Sequence, residues 1–219
     1  MGEASSWGGG IGLNGLFITL EGPEGAGKST QLKLLCQWIE SLGRPVLATR
    51  NPGGTAIGQQ IRQVLLDPAN KAMVPMAELM LYAADRAQHV QEVVSPALAA
   101  GTVVICDRFG DSTLAYQGYG RGLDMTLLRA LNEMATDGLR PDVTLLLDVP
   151  SEEGLARVAR SRVIDRLEDE AIAFHHRLRD GYLALAAAEP DRFVKVDATQ
   201  SPEVVHQALR EALAARLAD

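Results

Sequence analysis

The stretch Gly22-Pro23-Glu24-Gly25-Ala26-Gly27-Lys28-Ser29 decides the fold class of this chain. It fits the pattern G-x-x-x-x-G-K-[ST], follows the apolar run Leu16 to Leu20, and precedes a helical pattern over about 30–40. Glycines let backbone N–H groups turn toward phosphate oxygens, and the helix N-terminus adds the positive end of its dipole. In this pattern Lys28 reaches the terminal phosphates and Ser29 can bind Mg²⁺. The strand, loop and helix together predict a site for a nucleoside triphosphate.

The composition excludes several classes of protein. The chain has 219 residues, of which 47% are hydrophobic and 22% charged, and this suits one large α/β domain. No apolar run approaches the roughly 18 residues of a membrane-spanning helix, so no membrane partner is expected. The net charge of −7 argues against a protein that coats nucleic acid, because such a protein needs a basic surface.

Cysteine usage and the first residues indicate the compartment. Cys36 and Cys106 are too few for a disulfide framework, and both fall in apolar settings. We therefore expect buried thiols in a reducing compartment, the cytoplasm. Residues 1–14 are rich in Gly and Ser and lack the basic and apolar regions of a secretory signal, so we expect a flexible tail. Residues 15–219 are expected to form a single domain.

Short apolar runs alternate with longer helical patterns along the chain. The predicted strands cover 16–20, 45–49, 102–106, 143–148 and 193–196. The predicted helices cover about 30–40, 56–66, 76–100, 124–137, 151–160, 168–188 and 202–217. Such alternation predicts a parallel sheet of five strands between helices, which is the three-layer α/β fold of P-loop NTPases.

Charged residues stand at the carboxyl ends of the predicted strands, where parallel sheets bind ligands. The second strand leads into the loop 50–55, the third into Asp107 and Arg108, and the fourth ends in Asp148. We expect these groups to face one crevice together with the phosphate loop. A carboxylate such as Asp107 commonly meets Mg²⁺ or its waters, and the adjacent arginine can clamp a phosphate. The alternative is a surface ion pair, worth less than about 1 kcal/mol.

Basic and acidic residues are interleaved between about 152 and 170. Most such runs are solvated helix faces. The arginines here also suit a lid, over about 157–168, that closes over phosphates and supplies a cationic group. The sequence leaves both interpretations open for Arg157, Arg160, Arg162 and Arg166.

Tyr82 and Arg86 lie four residues apart on one predicted helix and therefore share a face. Such a pair can stack on a nucleobase and hydrogen-bond its edge. A core tyrosine beside a surface arginine is the interpretation that the sequence alone favours.

No histidine falls within these motifs. A hydroxyl acceptor would benefit from a general base, whereas a phosphate monoester, with a second pKa near about 6, is already anionic at neutral pH. The chain is therefore suited to a phosphate acceptor. The histidines are His89, His175, His176 and His206.

The chain resembles thymidylate kinases of the bacterial type over about 15–219. The motifs that carry the resemblance, in order, are the phosphate loop, Arg50-Asn51-Pro52-Gly53-Gly54-Thr55, Tyr82-Ala83-Ala84-Asp85-Arg86-Ala87-Gln88, Asp107-Arg108-Phe109, Ala115-Tyr116-Gln117-Gly118-Tyr119-Gly120-Arg121-Gly122 and Ile164-Asp165-Arg166-Leu167-Glu168. The resemblance implies phosphoryl transfer from Mg·ATP to dTMP, giving dTDP and ADP. It also implies Mg²⁺ as cofactor, dTMP and ATP as small-molecule substrates, and a homodimer formed through the 76–100 helix and its neighbours.

The resemblance further implies roles for individual residues. Lys28, Arg108, Arg160 and Arg162 would be catalytic, and Ser29 and Asp107 would serve the metal. The implied ATP-binding residues are Gly22, Pro23, Glu24, Gly25, Ala26, Gly27, Lys28, Ser29, Thr30, Asp197 and Ala198. The implied dTMP-binding residues are Glu24, Arg50, Pro52, Tyr82, Arg86, Arg108, Thr113, Tyr116 and Gln117. Within that set, Glu24 would meet the 3′-hydroxyl, Tyr82 would stack on thymine, and Tyr116 would crowd the 2′ position.

Two positions differ from the family pattern. The bacterial members usually have Arg-Glu-Pro-Gly in the second loop, where this chain has Asn51. Some relatives carry an arginine in the phosphate loop at the position of Gly25, so here the lid arginines should supply that charge. Two other functions stay open: a nucleotide-dependent switch or binding protein that uses the same loop, and a kinase of another deoxynucleoside monophosphate.

Overall fold

The structure, a computed structural model, describes residues 15–160 and 165–217. The predicted tail at residues 1–14 lies outside the described residues, and so does Arg162, which belongs to the segment 161–164.

Parallel strands form a single sheet at the centre of the described structure. They are β1 (Phe17–Glu21), β2 (Val46–Arg50), β3 (Val103–Asp107), β4 (Val143–Asp148) and β5 (Phe193–Asp197). Their order across the sheet is β2-β3-β1-β4-β5. Thr19 of β1 lies opposite Cys106 of β3 on one side and Thr144 of β4 on the other. Each predicted strand is confirmed to within one residue at either end.

The helices are α1 (Lys28–Ser41), α2 (Ala56–Leu66), α3 (Pro75–His89), α4 (Ser95–Ala99), α5 (Gly110–Thr113), α6 (Met125–Thr136), α7 (Ser151–Ala159), α8 (Ile172–Ala188) and α9 (Pro202–Leu217). A π-helical segment, Val90–Val94, joins α3 to α4, and another, Leu114–Gly120, continues α5. The helix predicted over about 76–100 is therefore one continuous helical stretch, 75–99, whose hydrogen bonding changes to the π type just before Pro96, which cannot donate a helical N–H bond.

The helical stretch over 110–120 was not predicted. Glycine and β-branched threonine have low helix propensity, and this stretch contains Gly110, Thr113, Gly118 and Gly120. Tertiary packing overrides that propensity, since residues 111–118 are buried.

Helices cover both faces of the sheet. On one face, Ile18 of β1 and Leu145 of β4 share a buried cluster with Leu35 of α1 and Leu209 of α9. On the other face, Leu146 of β4 packs in a cluster with residues of α8 and of the 114–120 segment. Neighbouring residues of a strand point to opposite faces, which explains why Leu145 and Leu146 belong to different clusters. The predicted three-layer α/β fold is confirmed.

The structure also shows the state of the cysteines and the length and hydropathy of the helices. Both cysteines are free; Cys106 is buried and Cys36 is half-buried. Among the described residues, the structure contains no helix that is both long and apolar enough to cross a membrane.

Strand direction places the candidate groups together. β3 lies between β1 and β2 and is parallel to both, so the carboxyl ends of the three strands lie at one edge of the sheet. The phosphate loop, the 51–55 loop and Arg108 follow these ends directly and meet at that edge.

Candidate active site

The phosphate loop connects β1 to α1 and packs closely against α7. Gly25 has a φ of 68°, and a Cβ on it would lie 2.0 Å from the carbonyl oxygen of Gly154. Glycine is therefore required both by the backbone and by the contact. The Lys28 Nζ donates to the carbonyl oxygens of Gly22 at 3.0 Å and Pro23 at 2.8 Å. The ammonium group thus lies inside the curve of the loop, where a phosphate would bind.

Two buried charges of the loop hold opposite signs at neutral pH. Burial and the nearby Arg108 guanidinium lower the pKa of Lys28 to about 8. Burial alone would raise the pKa of Glu24, but Arg108 and Lys28 outweigh it and lower that pKa to about 2. Glu24 is therefore an anion throughout the physiological range, and Lys28 is mostly protonated at pH 7.

Arg108 lies at the centre of the site, where β3 ends. Its Nη1 donates to the carbonyl oxygen of Gly22 and to the Tyr182 hydroxyl, both at 3.0 Å. Its Nη2 donates to Glu24 Oε1 at 3.0 Å. The guanidinium also lies over the Tyr116 ring, 5.0 Å from the ring centroid. These contacts fix the position of the Arg108 guanidinium before any ligand binds.

The backbone at Arg108 is strained and is supported by Glu21, a residue that the sequence analysis missed. Arg108 has a φ of 71°, a conformation that costs a residue other than glycine about 1–3 kcal/mol. Glu21 is fully buried and accepts the next N–H, that of Phe109, at 2.7 Å. It also accepts hydrogen bonds from the hydroxyl groups of Ser112 and Tyr182, at 2.6 and 2.9 Å. Its place directly before the phosphate loop was the one signal that could have drawn attention to it.

Oxygen ligands suited to a magnesium ion lie beside the loop. The Ser29 hydroxyl is 3.4 Å from Asp107 Oδ2. Among the described residues, the buried Oδ1 of Asp107 has no hydrogen-bond partner. A carboxylate and a hydroxyl fit Mg²⁺, which commonly takes its other ligands from water and phosphates. Among the described residues, no cluster of three or more His, Cys, Asp or Glu side chains could hold a metal ion.

A cavity with about 520 Å³ of empty space lies between α2, α3 and the 110–120 stretch. We call it the acceptor cavity. The predicted dTMP-binding residues that line it are Glu24, Pro52, Tyr82, Arg86, Arg108, Thr113, Tyr116 and Gln117. The structure therefore brings together every predicted dTMP-binding residue except Arg50.

Arg86 is buried, and the prediction of a surface arginine is wrong. Its side chain is 1% exposed. It donates to Asn51 Oδ1 at 3.2 Å, Asn132 Oδ1 at 2.6 Å and Thr113 Oγ1 at 2.8 Å. A buried cation requires such partners, and these come from separate elements that helical spacing cannot reveal. Tyr82, by contrast, is partly exposed on the cavity wall.

Asn51, where the family pattern has glutamate, is matched by its surroundings. Its Nδ2 donates to Asp85 Oδ2, and its Oδ1 accepts from Arg86. Asp85 also accepts the N–H of Gly53 at 2.9 Å. A carboxylate at position 51 would face the carboxylate of Asp85, whereas an amide donates to one neighbour and accepts from the other.

A second, more open cavity runs along the phosphate loop, and we call it the donor cavity. Its empty space is about 1630 Å³. Predicted residues that line it are Glu24, Gly25, Ala26, Gly27, Lys28, Ser29, Thr30, Arg50, Asp107, Arg108 and Arg157. The two cavities share Glu24, Asn51, Arg62 and Arg108 in their walls. They therefore meet at two arginines.

Arg62 of α2 is a site residue that sequence analysis missed. Its Nη1 donates to the carbonyl oxygen of Pro52 at 3.1 Å. Burial and the nearby Arg50 lower its pKa. Arg62 and Arg108 line both cavities, and Arg50 lines the donor cavity close to Arg62, an arrangement of guanidinium groups that an anion would stabilise. No motif marks Arg62, because its role depends on how α2 packs.

Some predicted ATP-binding residues lie outside the cavity walls. The carbonyl oxygens of Gly22 and Pro23, at the start of the loop, accept from Lys28 Nζ. Asp197 ends β5 and Ala198 follows it, and Arg157 donates to the carbonyl oxygens of Ala198 at 2.9 Å and Gly25 at 3.4 Å. That arginine therefore joins the loop after β5 to the phosphate loop.

The described lid arginines and Asp148 differ in burial and in their contacts. Of the described lid arginines, Arg160 is exposed and lines neither cavity. Arg166 is buried; its Nη2 donates to Glu78 and its Nε to the carbonyl oxygen of Leu65, at 2.7 Å. Asp148 was expected to face the crevice, but it forms a two-point ion pair with Arg179 of α8, at 2.7 and 3.1 Å. Arg179 of α8 thus neutralises the carboxylate at the end of β4.

Comparisons with known proteins agree with this arrangement. The family model described as thymidylate kinase matches residues 20–209. A thymidylate kinase of Trichlorobacter lovleyi is 58% identical over 210 residues, 93% of this chain and 99% of that relative. One from Synechococcus sp. (strain JA-2-3B'a(2-13)) is 56% identical over 204 residues, 92% and 96% of the two chains. The crystal structure of thymidylate kinase from Ehrlichia chaffeensis matches with a TM-score of 0.75 and 32% identity, covering 91% of this chain and 98% of that one. The resemblance is confirmed, and the chain belongs to the thymidylate kinase family.

Proposed function

We propose that this chain transfers the γ-phosphoryl group of ATP to dTMP, giving dTDP and ADP. The observation that carries the proposal is the junction of the two cavities at Arg62 and Arg108. ATP occupies the donor cavity and dTMP the acceptor cavity, so their phosphates meet at this junction. In-line transfer needs mainly alignment and neutralised oxygens, and this site offers both.

The donor phosphates bind to the loop. Backbone N–H groups at the start of α1 and the Lys28 ammonium contact the phosphate oxygens. The loop after β5, with Asp197 and Ala198, lies beside the adenine, and Arg157 ties that loop to the phosphate loop.

The acceptor binds with its base against α3. Tyr82 stacks on thymine, and Arg86, held by Asn51 and Thr113, donates to the base edge. The dTMP phosphate binds among Arg50, Arg62 and Arg108. It is the nucleophile in its anionic form, so no general base is required.

Ser29 and Asp107 are the residues that would hold Mg²⁺. The Oδ1 of Asp107, which has no hydrogen-bond partner among the described residues, supports this assignment. A bound magnesium ion neutralises phosphate charge.

The lid, about 157–168, closes over both substrates. Asp165 and Leu167 line the acceptor cavity, and Arg157 lines the donor cavity, so the two ends of the lid already border the two sites. Closure would exclude water, which would otherwise compete for the phosphoryl group. Arg160 and Arg162 remain our candidates for a cationic contact from the closed lid.

We place the enzyme in the cytoplasm as a homodimer. The two free cysteines suit a reducing compartment. Large exposed apolar side chains lie on or beside α2, α3 and α6, and α3 packs against both of the other two helices. They are Ile57, Val64, Val74, Met76, Met80, Leu127 and Met134. A second copy would cover this face, and sedimentation equilibrium measures the resulting mass.

A product assay tests the reaction. The purified protein is mixed with Mg·ATP and, separately, dTMP, dUMP, dCMP, dGMP or AMP, and the products are separated by chromatography. We expect dTDP and ADP in equal amounts, with dTMP preferred. ATP hydrolysis without a phosphorylated acceptor would favour the switch or binding protein, and preference for another acceptor would contradict dTMP as the substrate.

The rate should depend on pH through Lys28. Its pKa of about 8 in the ligand-free enzyme means that it is charged below this pH and neutral above it. We therefore expect kcat/KM for ATP to fall as the pH rises through about 8, because a neutral lysine attracts phosphate less. A profile measured from pH 6 to 10 tests this. The residual activity of Lys28→Arg should show no such decline, since arginine stays charged.

Substitutions of Tyr116 should separate the role of its ring in sugar specificity from the role of its hydroxyl in the rate. Its ring closes the acceptor cavity beside Glu24, to which its hydroxyl donates. Tyr116→Ala should raise the use of ribothymidine monophosphate relative to dTMP by about tenfold, because it makes room for a 2′-hydroxyl. Tyr116→Phe keeps the ring, so it should lower the rate without changing that ratio. An unchanged ratio in the alanine variant would remove this residue from the sugar specificity.

A further inference from the structure

The Gln117 side chain lines the acceptor cavity with a fixed orientation. An amide has a donor end and an acceptor end, so its orientation decides which hydrogen bond it offers to a base. The Nε2 of Gln117 donates to Glu78 Oε1 at 2.9 Å. An ionised carboxylate only accepts, so this contact must take the NH₂ end. The carbonyl end, Oε1, is left for the cavity.

Glu78 is held as an anion by its surroundings. It lies on α3 and is 1% exposed. Its oxygens also accept from Arg121, at 3.3 and 3.4 Å, and from Arg166. Burial would raise the pKa of Glu78, but the Gln117 hydrogen bond and Arg121 outweigh it and lower that pKa. The group that orients Gln117 therefore stays an acceptor at neutral pH.

The orientation matters for the choice of base. Thymine and uracil carry a hydrogen-bond donor, N3–H, whereas cytosine has an unprotonated N3 that only accepts. A carbonyl oxygen facing N3 accepts a hydrogen bond from thymine or uracil, but it is repelled by the N3 lone pair of cytosine.

We propose that Glu78 is a specificity-positioning residue, which holds the Gln117 carbonyl toward N3 of the acceptor base and thereby selects thymine and uracil over cytosine. The inference rests on the proposed function, because it requires the base to lie in the acceptor cavity. Glu78 acts through Gln117 and does not touch the substrate.

The decisive variant is Glu78→Gln, which changes size little. Its own amide can pair with either end of Gln117, so that side chain is free to turn. We measure kcat/KM for dTMP, dUMP and dCMP. The ratio of dTMP to dCMP should fall by about tenfold or more, while the ratio of dTMP to dUMP stays constant because both bases carry N3–H.

Loss of charge at position 78 also weakens the pairing with Arg121 and Arg166. General damage to the site would lower all three rates together and leave both ratios unchanged, a result that would overturn the inference. Should Glu78→Gln fail to fold, Glu78→Asp keeps the charge for the arginines but draws the carboxylate back from Gln117. The same shift in the dTMP to dCMP ratio is expected, and its absence would again overturn the inference.

A double-mutant cycle separates action through Gln117 from any other route. Gln117→Met removes the amide, so adding Glu78→Gln to it should change the dTMP to dCMP ratio no further. A further fall would contradict the positioning role. If the wild-type chain phosphorylates dTMP and the variants keep its dTMP to dCMP ratio, this inference alone is wrong. If the wild-type chain phosphorylates no acceptor, the proposed function is wrong.

Discussion

Lys28→Ala should lower kcat for dTDP formation by about a thousandfold or more, the largest loss that we expect from one substitution in the phosphate loop. The ammonium group is buried inside the curve of the loop and is the loop's one side-chain cation. Without it, the negative charge of the donor phosphates in the transition state loses a positioned partner. Initial rates with saturating Mg·ATP and dTMP give the effect.

The fold should survive this change, because the hydrogen bonds of Lys28 Nζ in the described structure go to the carbonyl oxygens of Gly22 and Pro23, within the same loop. Circular dichroism and thermal unfolding check this. Lys33 is the matched control: it is an exposed lysine on the same helix, so Lys33→Ala should keep wild-type rates. A folded Lys28→Ala protein with near-normal turnover would refute the assigned role.

Arg108→Ala should lower kcat/KM by about 10³-fold for both substrates. Arg108 borders both cavities and is preorganised by its bonds to Gly22, Glu24 and Tyr182. Removal takes away a cation from the point where the two phosphates meet. It also leaves Glu24 without its main counter-charge, so the pKa of that carboxyl should rise.

Arg108→Lys distinguishes charge from geometry. Lysine restores the charge but not the planar fork of donors, so we expect only partial recovery. Arg129→Ala is the control, since this exposed arginine of α6 lines neither cavity in the described structure. Loss of activity confined to one substrate would place Arg108 outside the shared junction.

The sequence predicted most of the fold because local signals agree with it. The phosphate loop has its own pattern, and each strand is a short apolar run bounded by helical periodicity. Failures occurred where packing overrides local preference. The helical stretch over 110–120 is rich in glycine, which has low helix propensity, yet it forms where its residues are buried.

The site was predicted only where a motif marks it. Asp107 ends β3, Arg108 follows it, and Lys28 belongs to the loop motif after β1, so their convergence could be inferred. Arg62 and Glu21 carry no comparable motif. Their roles come from contacts with distant segments, such as the bonds from Arg62 to Pro52 and from Phe109 to Glu21. The difference at Asn51 was visible in the sequence, but its match with Asp85 needed the structure.

A crystal structure with dTMP and a non-hydrolysable ATP analogue tests the central claim most directly. The distances to measure join the acceptor phosphate to the Arg108 guanidinium and the terminal donor phosphate to Lys28 Nζ. We predict both at hydrogen-bond distance, about 3 Å, with thymine beside Tyr82. An acceptor phosphate bound away from Arg108, or thymine outside the acceptor cavity, would contradict the account.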